Sequence, residues 1–132
     1  MAIAVNIEAP KIIKRYTVND GVAIPKGTIL KLSGASVNNA IASSGDGDVF
    51  AGIATEEKTA SDGITEIGAA IDGVWDISQC GTASTAGAIV CLSGANLVRS
   101  AAAADLLTGA AFGKLLETGT INVQNRVRLG LV

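Results

Sequence analysis

Short runs of aliphatic and β-branched residues alternate with clusters of Gly, Asn, Asp and Ser along the whole chain. The runs are Thr28–Leu32, Val49–Ala54, Ile64–Ile71, Val74–Ile77, Ala88–Leu92 and Thr120–Val132. Between them stand Asn19-Asp20-Gly21, Pro25-Lys26-Gly27, Gly45-Asp46-Gly47-Asp48, Asp62-Gly63, Asp72-Gly73 and Ser93-Gly94, each of which reads as a turn. Many short strands at close spacing indicate a small β-barrel or sandwich. In the last run Ile121, Val123, Val127, Leu129 and Leu131 are apolar, and the spacing reads as slipping by a residue near Asn125. That predicts either two strands or one strand with a bulge. The alanine-rich stretch Ser100–Leu107 favours at most one or two turns of helix, followed by a strand over Ala111–Glu117.

An internal repeat is visible. With Gly21 set on Gly81, Ala23 meets Ala83, Gly27 meets Gly87 and Ile29 meets Ile89. Leu32-Ser33-Gly34-Ala35 then meets Leu92-Ser93-Gly94-Ala95, without a gap. The alignment spans 21–42 and 81–102 and predicts two similar hairpin units in one β domain, residues 16–132.

The first fifteen residues differ. Ile3, Val5 and Ile7 alternate with Ala4 and Asn6, and Pro10 then breaks the run. A strand cut off by proline reads as an edge strand or an arm able to pair with another chain's sheet. Lys11, Lys14 and Arg15, the one basic cluster, follow it. Met1–Ile7 lacks the basic and apolar regions of a signal peptide, which predicts a protein made in the cytoplasm. No stretch has the apolar length of a transmembrane helix.

Composition narrows the function. The chain has 132 residues, no histidine and a net charge of −2. Without histidine there is no Ser-His-Asp or Cys-His catalysis and no histidine-ligated zinc. An acidic chain with only 3% aromatic residues lacks the basic surface and stacking platforms of nucleic-acid binders. Cys80 and Cys91 do not make a disulfide framework and read as free thiols unless a hairpin sets them opposite each other.

Other motifs favour structure over chemistry. Gly109-Ala110-Ala111-Phe112-Gly113-Lys114-Leu115 is one residue short of a phosphate-binding loop and has Leu115 where Ser or Thr is required. Gly45-Asp46-Gly47-Asp48 lacks the later acidic ligand of a calcium loop and reads as a turn. Scattered carboxylates come without the aromatic platforms of a glycosidase and read as surface charge. Trp75 reads as core or interface, with a partner for its indole N–H. The expected protein is thus not an enzyme and needs no cofactor or metal.

The order of short motifs resembles that of capsid decoration, or cement, proteins of tailed bacteriophages. Tyr16 precedes a turn and a glycine-led strand, Gly27-Thr28-Ile29-Leu30-Lys31-Leu32. Then come Phe50-Ala51-Gly52-Ile53-Ala54, Gly73-Val74-Trp75-Asp76-Ile77, a second glycine-led strand from Gly87 to Leu92, and a valine-rich end, Val123–Val132. The resemblance covers most of the chain after Tyr16. It implies an all-β fold, a small barrel or sandwich of β-tulip or SH3-like kind, with an extended N-terminal arm over residues 1–15. It also implies attachment to the major capsid protein on the outside of the virion and self-association as a homotrimer; charge, aromatic content and the lack of a long apolar run argue for no nucleic-acid or membrane partner. The expected capsid-binding residues are Ile3, Val5, Ile7, Lys11, Lys14 and Arg15. The alternatives are a tail, fibre or surface-lattice β-module, and a small ligand-binding barrel.

Overall fold

A computed structural model describes residues 3–33, 39–79, 85–118 and 123–130. The fold is all-β. The first strands are β1 (Val5–Glu8), β2 (Ile13–Thr17), β3 (Ile29–Leu32), β4 (Ala40–Ala42), β5 (Phe50–Ala54) and β6 (Glu66–Ala70). After them come β7 (Val74–Gln79), β8 (Ile89–Gly94), β9 (Leu97–Ser100), the helix α1 (Ala103–Leu107), β10 (Ala111–Leu115) and β11 (Gln124–Leu129). The alanine-rich stretch supplies that one short helix, with no buried residue.

The strands form two sheets of the same design. One runs β2-β6-β5-β3-β4 and the other β7-β11-β10-β8-β9. Both halves enter the strand that stands fourth in this order, β3 or β8, through the same turn. Thr28 N–H donates to Pro25 C=O and Ala88 N–H to Thr85 C=O, each at 3.1 Å. Gly27 and Gly87 sit at the third position, where a type II turn needs positive φ. The next bonds repeat too. Gly27 N–H donates to Ala54 C=O and Ala54 N–H to Thr28 C=O; Gly87 N–H donates to Leu115 C=O and Leu115 N–H to Ala88 C=O.

The halves also close alike. β7 and β9 pair in parallel at Ser78–Leu97 and Gln79–Val98, which completes a five-stranded barrel. In the first half one parallel bridge, Thr17–Asn39, occupies the corresponding place. Through these registers Ile13, Lys14, Arg15, Tyr16 and Thr17 correspond to Val74, Trp75, Asp76, Ile77 and Ser78. The duplication therefore spans both five-stranded units, well beyond the two hairpins legible in sequence.

One hydrophobic cluster draws on both halves: Ile29, Ile53 and Ala70 meet Ile77, Val90, Leu92, Phe112, Leu115 and Val127. Phe50 stacks on Phe112 across the seam, with centroids 4.1 Å apart. Asn96 reaches across as well: its Oδ1 accepts from Ile29 N–H at 2.8 Å and its N–H donates to Ser43 Oγ at 3.2 Å. A second cluster fills the first half around Tyr16, Val18, Ile24 and Leu30. The Tyr16 hydroxyl donates to Ala51 C=O there, and burial pushes the phenol's pKa up.

The expected slip near Asn125 is absent from the described strand. β11 pairs with β7 in unbroken register from Gln124 to Arg128. Asn125 is buried on the same face as Val127 and Leu129, and its amide donates to Val123 C=O. A polar residue on the buried face had mimicked a change of phase.

Candidate functional site

Residues 3–15 lie on the chain's own sheets. β1 pairs antiparallel with β7 over Val5–Asp76, Asn6–Trp75 and Glu8–Val74, and β2 pairs with β6 along its length, through the boundary at residue 15. Ala4 is buried in the shared core, and its N–H donates to Gly27 C=O. Gln124 Nε2 donates to Ile3 C=O at 2.7 Å, and the Asp72 carboxylate accepts from the backbone N–H groups of Lys11 and Ile12. β1 is the terminal strand of its sheet.

What this segment exposes is apolar. Ile3, Val5, Ile7, Ile12 and Ile13 are between 39 and 53% accessible. Among the described residues they make up five of fourteen exposed large hydrophobics, gathered within one short stretch of chain. Ile3, Val5 and Ile13 come together along one groove, and an exposed apolar patch marks an interaction surface more often than scattered single residues do. The groove, of about 700 Å³, is lined by Ile3, Val5, Pro10, Ile13 and Trp75, with Lys26 and Glu57 as its charged members. Trp75 is a core residue whose indole N–H donates to Asp72 C=O at 3.0 Å, and it also forms part of the groove wall.

The three basic residues differ in availability. Arg15 is engaged by its own chain, 2.8 Å from Glu56 and 3.5 Å from Glu66. The Lys14 ammonium stands 5.6 Å from the Tyr16 ring centroid, a cation–π distance, and no described carboxylate pairs with it. Lys11 has an ordered backbone, and no described carboxylate meets its side chain. Sequence reasoning gathered Ile3, Val5, Ile7, Lys11, Lys14 and Arg15, and all six lie on this N-terminal segment. It missed Ile12 and Ile13. Adjacent residues on a strand face opposite sides, so the Ile12-Ile13 pair already required one apolar side chain to point outward.

The other motifs serve the fold. Ala111–Leu115 of the glycine-lysine stretch is the strand β10. Asp48 accepts from the N–H groups of Ser44 and Gly45 and pairs with Lys31, while Asp46 pairs with Arg99. Among the described residues no group of His, Cys, Asp and Glu could hold a metal, and no described helix is long and apolar enough to cross a membrane. Cys91 is a free, buried thiol whose pKa burial pushes up to about 11; Cys80 lies outside the described residues.

No protein-family model matches the chain, and no curated protein matches it.

Proposed function

We propose that the chain is a structural binding protein that decorates and stabilises the outer surface of a bacteriophage capsid. The carrying observation is the exposure of Ile3, Val5, Ile7, Ile12 and Ile13 along β1, the start of β2 and the chain before and between them, β1 and β2 each being the terminal strand of its sheet. The order of motifs shared with decoration proteins supports the choice of partner. Burying one such side chain fully is worth roughly 1.5–3 kcal/mol relative to leaving it exposed, and these five are already half-covered. The patch alone thus supplies a modest contact. Self-association as a homotrimer would make such contacts cooperative, because docking of one copy's patch raises the effective concentration of the others. Lys11 and Lys14 would meet acidic groups of the major capsid protein, whereas Arg15 is already neutralised by Glu56 and Glu66. A clamp of this kind stabilises a shell because its binding energy is lost when neighbouring subunits separate. The protein would be made in the host cytoplasm and end on the virion exterior. Co-sedimentation with capsids that lack the protein, before and after shell expansion, tests this reading. Saturable binding supports it, and absence of binding by the folded protein would favour a tail, fibre or lattice role.

A further inference from the structure

The duplication places the same strand edge in both halves, paired along its length in the second and left without a described partner strand over most of it in the first. In the second half, β9 takes Ser78 and Gln79 on one edge of β7, and β1 takes Val74–Asp76 on the same edge. In the first half, β2 meets a strand-like partner on the corresponding edge only at Thr17, through Asn39. Ile13–Arg15, the counterparts of Val74–Asp76, pair with no described strand on that side.

The backbone groups there point the right way. Val18 N–H donates to Thr65 C=O, and Ile12 C=O accepts from Ile71 N–H. In an antiparallel ladder the bonded residues alternate, so the even-numbered residues of β2 turn their backbone groups to β6. Ile13 and Arg15 turn theirs to the open edge. On β7 the bond from Leu129 N–H to Gly73 C=O sets the equivalent phase, which leaves Val74 and Asp76 to face β1.

From this correspondence we infer that the edge of β2 at Ile13–Arg15 accepts an extended, apolar and acidic segment of another protein as an added strand. The side chains around the edge set the chemistry. Ile12 and Ile13 are exposed, and the ammonium groups of Lys11 and Lys14 have no described carboxylate partner. A second copy of the chain is the poorer complement. Its net charge is −2, but β1, its own strand of this shape, is held on β7 and carries a single carboxylate, Glu8. The edge would serve the same role whatever larger assembly the protein joins.

The experiment titrates the isotopically labelled full chain with the peptide acetyl-Val-Glu-Ile-Glu-Val-Glu-amide and follows backbone amide shifts. Saturable shifts at Ile13 and Arg15 are expected. The counterpart peptide with lysine in place of glutamate should bind roughly fivefold more weakly, the size of two exposed ion pairs. Arg15→Pro should remove the response, since its N–H takes no part in the bond pattern with β6. The Lys11→Glu, Lys14→Glu double variant, which inverts the charge beside the edge, should reverse the preference between the two peptides. Shifts centred on β1, or no shifts, would overturn the inference. So would concentration-dependent shifts at Ile13 and Arg15 without peptide, which would make the edge a self-contact.

Discussion

Gly27 and Gly87 stand sixty positions apart at the same place in two copies of one turn, and each holds φ at +91°. They differ in what surrounds them. A Cβ on Gly27 would sit 2.5 Å from the carbonyl oxygen of Ala4, whereas a Cβ on Gly87 would meet nothing within 4 Å. Gly87→Ala should therefore cost about 1 kcal/mol, the penalty for forcing an L-residue to positive φ. Gly27→Ala should cost about 2–3 kcal/mol, because it also collides with backbone that anchors β1. Urea unfolding checks the difference. Hydrogen exchange should show the amide of Ala4 losing protection in Gly27→Ala alone.

The stack of Phe50 on Phe112 couples the two halves. A double-mutant cycle with Phe50→Leu and Phe112→Leu should return a coupling of about 0.5–1.5 kcal/mol. Unfolding of the native chain should remain a single transition by fluorescence of Trp75 and by far-ultraviolet dichroism. A coupling near zero would mean that the seam is held by the shared aliphatic core and Asn96 instead.

The turns and the alternation could be read from the chain because glycine and β-branched residues mark backbone requirements directly. The repeat was legible only where identities survive, around Gly27 and Leu32-Ser33-Gly34-Ala35. Its remainder was hidden because Arg15 corresponds to Asp76 and Tyr16 to Ile77, pairs that share a register but no chemistry. Asn125 misled because an inward amide breaks the apolar pattern without breaking the strand. Lys58 was invisible for the opposite reason. It reads as a surface lysine in a polar loop, yet its side chain is fully buried, bonded to the carbonyls of Asp20 and Thr59 and to Asp62. For the candidate binding surface, the alternation of Ile3, Val5 and Ile7 was the visible signal. The placement of that segment on β7 depended on a distant strand.

Three aspartates tie stability to acid. Hydrogen bonds from Ile64 N–H, Lys58 and Thr59 N–H lower the pKa of Asp62, and Arg99 with Ala102 N–H lowers that of Asp105. At Asp48 burial works to raise the pKa, but bonds from Ser44, Gly45 and Lys31 outweigh it. A carboxyl with a depressed folded pKa adds stability above its unfolded pKa and loses it as pH falls through the folded value. Stability should thus begin to decline as pH approaches 3.8, the ordinary aspartate value, and keep declining below it. Asp48→Asn should be clearly less stable than the native chain at neutral pH, with the gap narrowing in strong acid. Thermal unfolding across that range measures it. A gap that stays constant with pH would remove Asp48 from the account.

Cys91 combines complete burial with a thiol pKa of about 11. The thiolate is the reactive form, so the native thiol should be nearly inert to alkylation at mildly basic pH. In a Cys80→Ser background the rate of labelling should follow the opening of the fold and rise steeply with urea. Rapid labelling of the native protein would contradict the placement of Cys91 in the core.

The central claim is that the apolar face of the N-terminal segment binds a phage shell. Because Ala4 belongs to the core, removing the segment would disturb the fold, and changing the exposed side chains is the cleaner intervention. The most direct measurement is co-sedimentation of native protein and of an Ile3→Ser, Val5→Ser, Ile7→Ser variant with expanded capsids that lack the protein. The account expects saturable binding of the native chain and at least a tenfold loss in the variant, with unfolding curves showing both folded. Equal binding by the two folded proteins would contradict it.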